Sequence, residues 1–267
     1  MMSPPVPLRV FPPAARGDRR CGPAKPVPRG GWHAMPAGLA LSCILGAAAL
    51  LSGCGGRDLG NEWFPLREGM SQTLDVRYAT DEPREPEQWT LAVMAPETFK
   101  EQPVAVRHHS AGVSYYLRAD AQGVRRVATR TDIDREPTAD AEPVWVLKAP
   151  YTVGTEWTTP TVPYLLQRKN EYPRELKYSH KVPMLWRIEA VDDSLTLADG
   201  SVHKPCLRVL GQARLNLYTD PVNGFTDVPL TSREWYCRGE GLVKLEREEK
   251  VPAGFITGGR LTAEVQR

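Results

Sequence analysis

The sequence predicts a mainly β protein: one strongly curved antiparallel sheet or partly closed β-barrel, behind an N-terminal signal peptide. Three observations predict it. Apolar residues alternate with polar ones in short runs, separated by turn residues about every 8–12 positions. No amphipathic helix of ordinary length is legible after Cys54. The 25 prolines suit loops and sheet edges, not helix interiors.

Residues 1–53 form the predicted leader. Arg9, Arg16, Arg19, Arg20, Lys25 and Arg29 precede an uncharged, Ala/Leu-rich segment from Ala37 to Leu51. Basic, then apolar, then small is the order of a secretory signal. Fifteen helical residues reach roughly 22 Å, short of the roughly 30 Å of a hydrocarbon core. Residues 54–62 read as a tether, flexible through Gly55, Gly56 and Gly60. Residues 63–267 read as the β domain.

Within that domain, Trp63-Phe64-Pro65-Leu66 reads as a plug at one end of the core. Met70, Gln72, Leu74, Val76 and Tyr78 alternate as a half-buried strand, and Trp89, Leu91 and Val93 repeat the pattern. Val104–His109 and Val113–Ala119 suggest a hairpin about Ser110-Ala111-Gly112, and Val124–Thr131 follows the turn at Gly123. Asp132–Glu142 reads as a polar, mobile loop, and Val144–Leu147 as a central strand. Pro163–Tyr178 suggests a helical turn about Leu165-Leu166 or an excursion. Val182–Ala190 is a strand, with turns expected at Asp192-Asp193-Ser194 and at Ala198-Asp199-Gly200. Two long strands then flank Asp220–Gly224, the second interrupted at Gly239-Glu240-Gly241 and resumed over Leu242–Glu249. A last turn is placed at Gly258-Gly259.

Leu51-Ser52-Gly53-Cys54 resembles the lipobox of bacterial lipoprotein precursors cut by lipoprotein signal peptidase. The resemblance implies cleavage between Gly53 and Cys54, a diacylglyceryl thioether on Cys54 and acylation of the new amine, palmitate being the expected label. Several acyl chains anchor a protein stably where one does not. Gly55, rather than Asp, follows the cysteine, which by the same resemblance favours the periplasmic face of the outer membrane. Ala198-Asp199-Gly200 through Val209, and Trp235 through Lys244, resemble the closing hairpins of uncharacterised exported bacterial β proteins. That likeness implies a fold and no activity.

The 34 basic and 32 acidic residues become 28 and 31 once residues 1–53 are removed. The mature part is therefore near −3 and holds no basic cluster, which argues against a nucleic-acid partner. Cys21 and Cys43 leave with the leader and Cys54 takes lipid. Cys206 and Cys237 remain, an even pair for an oxidising compartment. A hairpin about Asp220–Gly224 brings them nearly opposite, as a disulfide or as two buried thiols.

Catalytic and metal signatures are sparse. His108 and His109 point to opposite faces of a strand, and His180 and His203 stand alone. Glu246-Arg247-Glu248-Glu249-Lys250 reads as a solvated edge. The tryptophans at strand spacing read as core, with a ligand-lined cavity as the sharper alternative. No cofactor is expected. The function that follows is a membrane-anchored envelope module binding a protein, a lipid or a cell-wall component. The alternative is an envelope hydrolase using carboxylates among Glu189, Asp192 and Asp193.

Overall fold

Strand after strand in this chain has one apolar face, and the computed structural model turns that face inward. It describes residues 58–81, 83–169, 181–251 and 254–266. The leader, the cleavage site, Cys54, His180 and most of the Pro163–Tyr178 excursion lie outside them.

The strands are β1 (Ser71–Thr80), β2 (Glu87–Val93), β3 (Glu97–Phe99), β4 (Gln102–His109), β5 (Val113–Asp120), β6 (Gly123–Thr131), β7 (Thr138–Lys148) and β8 (Glu156–Thr161). Then come β9 (Gln167–Arg168), β10 (Val182–Thr196), β11 (Val202–Asp220), β12 (Gly224–Cys237), β13 (Gly241–Glu249), β14 (Ile256–Thr257) and β15 (Gly259–Val265). Twelve of them follow one path, β7-β6-β5-β4-β2-β1-β15-β13-β12-β11-β10-β8, with β3 on the side of β4 and β9 paired to β14. Every pairing is antiparallel. The two ends, β7 and β8, adjoin, so the sheet curls into a nearly closed barrel. No helix occurs among the described residues.

The main core joins Trp63, Phe64 and Leu66 to Val93, Ala105, Leu117, Leu147, Trp157, Ile188, Leu207, Val209 and Tyr236. The expected end plug is therefore present. A second cluster, Val104, Val106, Tyr116 and Ala128, packs on the opposite face of β4 and β5 beneath Phe99 of β3. Tyr116 and Leu117, neighbours in sequence, thus enter different clusters, as strand alternation requires.

Several expectations need correction. Within the stretch read as a tether, Asp58 Oδ1 accepts the amides of Gly60 and Leu66, and Asn61 Oδ1 those of Trp63 and Phe64. Residues 138–142 belong to β7 rather than to a loop, and β7 ends the path instead of lying centrally. Leu165 and Leu166 are buried in irregular chain with a bend at Leu165, not in a helical turn.

Asp192-Asp193-Ser194 does not reverse the chain. β10 runs through it with register shifts, Asp192 taking a φ of 63°; an extra residue in the left-handed region is how a bulge is absorbed. Conversely, Gly239-Glu240-Gly241 is no mere interruption. Both glycines have positive φ, 77° and 85°, and the chain reverses through the three-residue loop 238–240 into β13, Gly241 pairing with Cys237 of β12. Gly258 marks a close approach: a Cβ there would lie 1.8 Å from the Glu249 carbonyl oxygen.

Candidate functional site

Residues 246–249 of the charge run lie in β13, between β12 and β15 and not at an edge, and Lys250 follows directly. Alternation sends its members to two faces. Outside, Glu246 meets Lys244 at 3.1 Å and Glu248 meets Lys250 and Arg260 at 3.0 and 3.2 Å. Inside, Arg247 and Glu249 are 2% and 0% exposed and pair at 3.0 Å.

Glu249 also accepts the amides of Tyr164 and Leu165, at 3.1 and 2.9 Å, so one carboxylate ties the 163–166 segment to the barrel. The Arg247 guanidinium stands 5.1 Å from the Tyr164 ring centroid and reaches Met184 Sδ at 3.5 Å. Its Nη2 is buried without a hydrogen-bond partner. One strand away, Glu234 accepts from the Tyr236 hydroxyl. Burial pushes the Glu234 carboxyl up, with the Tyr236 hydrogen bond and Arg247 opposing. Arg107, beside Gln72 and over the Phe64 ring, is brought down to about 10 by burial. A low-dielectric interior that holds charges must pair them. The sequence signal for this seam is the alternation inside the charge run.

A second constellation joins two turns. Ser201 Oγ lies 3.1 Å from His203 Nε2, and His203 Nδ1 lies 2.8 Å from Glu240 Oε2. Ser201 and His203 share a face of the β10–β11 hairpin at spacing two, and Glu240 comes from the β12–β13 turn. The order of groups is that of an activated nucleophile, its base and the orienting carboxylate. Ser201 is 7% exposed, and its own amide is committed to Asp199 Oδ1 at 2.8 Å, so it is not free to hold an oxyanion. The chain of bonds clamps two turns beside Cys206 and Cys237. Sequence reading treated His203 as alone, because its partner Glu240 is distant in sequence.

The other expected groups are dispersed. Glu189 and Asp193 are brought together, but by Arg208, at 3.4 and 2.8 Å, with Arg233 3.3 Å from Glu189. Guanidinium groups between two carboxylates make an ion cluster on the outer surface. Asp192 is spent on the bulge. His109 packs tilted against Trp89, ring centroids 5.4 Å apart, and accepts the Ala111 amide through Nδ1, while His108 faces Ser114 at 3.2 Å. The two histidines point apart, as expected. No metal-ligating cluster occurs among the described residues.

Two grooves are open on the surface. One, of about 510 Å³, is lined by Ala121, Gln122, Trp145, Lys148, Ala149 and Pro150. The other, of about 420 Å³, lies along β10 and β11 beside Val153, Leu185, Arg187, Glu189 and Leu210. Cys206 and Cys237 stand directly opposite in the β11–β12 register, Cα atoms 4.0 Å apart and sulfurs within bonding distance.

No family model matches the chain, and no curated protein matches it in sequence. Among solved structures, the chain is similar to a Bacteroides fragilis protein classed as exported, with a YmcC-like fold. That match has 10% identity and a TM-score of 0.34 over 80% of this chain and 99% of that one. It is also similar to a Parabacteroides distasonis protein classed as a lipoprotein, with 12% identity and a TM-score of 0.37, over 77% of this chain and 97% of that one.

Proposed function

We propose that the chain is an envelope lipoprotein, cleaved after Gly53 and acylated at Cys54. Its β domain then serves as a non-catalytic binding or structural module, on the periplasmic face of the outer membrane. The supporting observation is how near the lipobox cysteine lies in sequence to the hydrogen-bonded domain. Asp58, four residues after that cysteine, accepts the amides of Gly60 and Leu66. Four extended residues reach at most about 14 Å, so lipid on Cys54 would hold the barrel close to the bilayer surface. The opposed pair Cys206–Cys237 fits an oxidising compartment as a disulfide. The partners expected are the bilayer, through Cys54, and an envelope protein, a lipid or a cell-wall component, through the barrel.

Labelling cells with palmitate tests the anchor. The wild-type chain should carry label and sediment with membranes, and Cys54→Ser should do neither. Equal labelling of the two would contradict the reading. One observation favours hydrolysis instead, the Ser201–His203–Glu240 chain. A fluorophosphonate probe, which captures activated serines, should leave Ser201 unmodified in the folded protein. Stoichiometric modification, lost in His203→Ala, would establish a nucleophile.

A further inference from the structure

The barrel encloses Arg107 and does not neutralise it. Arg107 is 9% exposed. β4 sets it between Val93 of β2 and Tyr115 of β5, each directly opposite it in register. Alternation keeps it on the inner face, since Val104 and Val106 enter the other cluster. The Phe64 ring lies against it, 4.9 Å from centroid to guanidinium carbon. Among the described residues its one hydrogen bond runs from Nη2 to Gln72 Oε1, at 3.3 Å. Arg247, comparably buried, has Glu249 at 3.0 Å; Arg107 has no such carboxylate among the described residues. Brought down to about 10 by burial, its guanidinium still stays charged at neutral pH. An enclosed cation without a counter-charge is costly, and interiors pair such groups.

The groups packed around it supply no negative charge. Burial pushes the Tyr115 and Tyr236 hydroxyls up, so both stay protonated. His109, two residues along the same face, is pushed down by burial and then by Arg107, and stays neutral. Arg126, 5.9 Å from the Tyr115 ring centroid, is a second cation, and Asp140 is spent on it through two bonds of 2.8 Å. Glu240, whose carbonyl takes the Gln72 amide, gives its carboxylate to His203. Glu234 is held by the Tyr236 hydroxyl and acts on Arg247, not on Arg107.

Donors remain to be used. Arg107 Nε and Nη1 bond to no described residue, and neither is wholly enclosed. The same holds for the Tyr115 hydroxyl on the facing strand. N–H and O–H groups that converge beside an unpaired cation make an anion site, because bonds to an ionised acceptor are the strong ones. One counter-charge is lacking, so the matching ligand carries one. We infer that Arg107 and the Tyr115 hydroxyl form an interior site for a small monoanion of the size of chloride. The site does not depend on acylation of Cys54.

The test uses the full chain, purified from membranes in detergent. Replacing bulky gluconate by chloride at constant ionic strength should raise Tm by roughly 3–6 °C, the effect of a ligand at about ten times its Kd. Arg107→Met removes the charge and the donors together, so its Tm should be the same in both salts. Tyr115→Phe keeps the cation and should weaken chloride binding roughly tenfold, the loss of one hydrogen bond to a charged partner. That variant decides the matter if Arg107→Met does not fold. Crystals grown in bromide should show anomalous scattering beside the Arg107 guanidinium. A wild-type Tm indifferent to chloride would overturn the proposal. So would an equal response in either variant, which marks a general salt effect, or an ordered water where bromide is expected.

Discussion

Glu249→Ala should destabilise the folded domain by about 3–5 kcal/mol, the usual effect of removing one partner of a buried ion pair. The substitution acts three times over. It leaves Arg247, 2% exposed, as an uncompensated cation in the barrel. It removes the acceptor for the Tyr164 and Leu165 amides. It also detaches the segment that buries Leu165 and Leu166. Glu249→Gln keeps an acceptor but not the charge, so most of the loss should persist. Adding Arg247→Met to Glu249→Gln removes the stranded cation and should restore much of it, a coupling that a double-mutant cycle reads directly. Urea titration measures all four proteins. A loss below about 1 kcal/mol for Glu249→Ala, the level of an exposed pair, would refute a buried charged seam.

Cys206→Ala with Cys237→Ala should lose about 2–4 kcal/mol. The cysteines are 31 residues apart in sequence, and a cross-link of that span restricts the unfolded chain by an amount in this range. For a domain of this size the loss lowers Tm by roughly 4–16 °C. The sulfurs are fully buried beside Leu195, Leu197, Trp235 and Val243, so the alanines also leave some packing unfilled. Thiol titration of the unfolded, unreduced protein separates the two readings of this pair. No reactive thiol is expected from Cys206 or Cys237; two would mean that they are packed sulfhydryls.

The parts of the fold written as period-two alternation were legible in sequence. β1, β2 and the β4–β5 hairpin follow from side chains that alternate between core and solvent, and the β11–β12 register follows from turn residues midway between two cysteines. Features set by tertiary context were not. Arg247 and Glu249 look solvated within a run of charges, because nothing local says that β13 has a neighbour on each side. Asp192 reads as a turn residue, since a bulge and a turn both use the left-handed backbone. Glu240 meets His203 only once two turns are folded together.

The account rests on a covalent lipid at Cys54, four residues before Asp58 of the hydrogen-bonded domain. Mass spectrometry of the N-terminal peptide from membrane-purified protein tests that most directly. The predicted peptide begins at Cys54 and carries a diacylglyceryl group and an amide-linked acyl chain. A peptide beginning at Met1, or one that begins elsewhere with Cys54 unmodified, would contradict it.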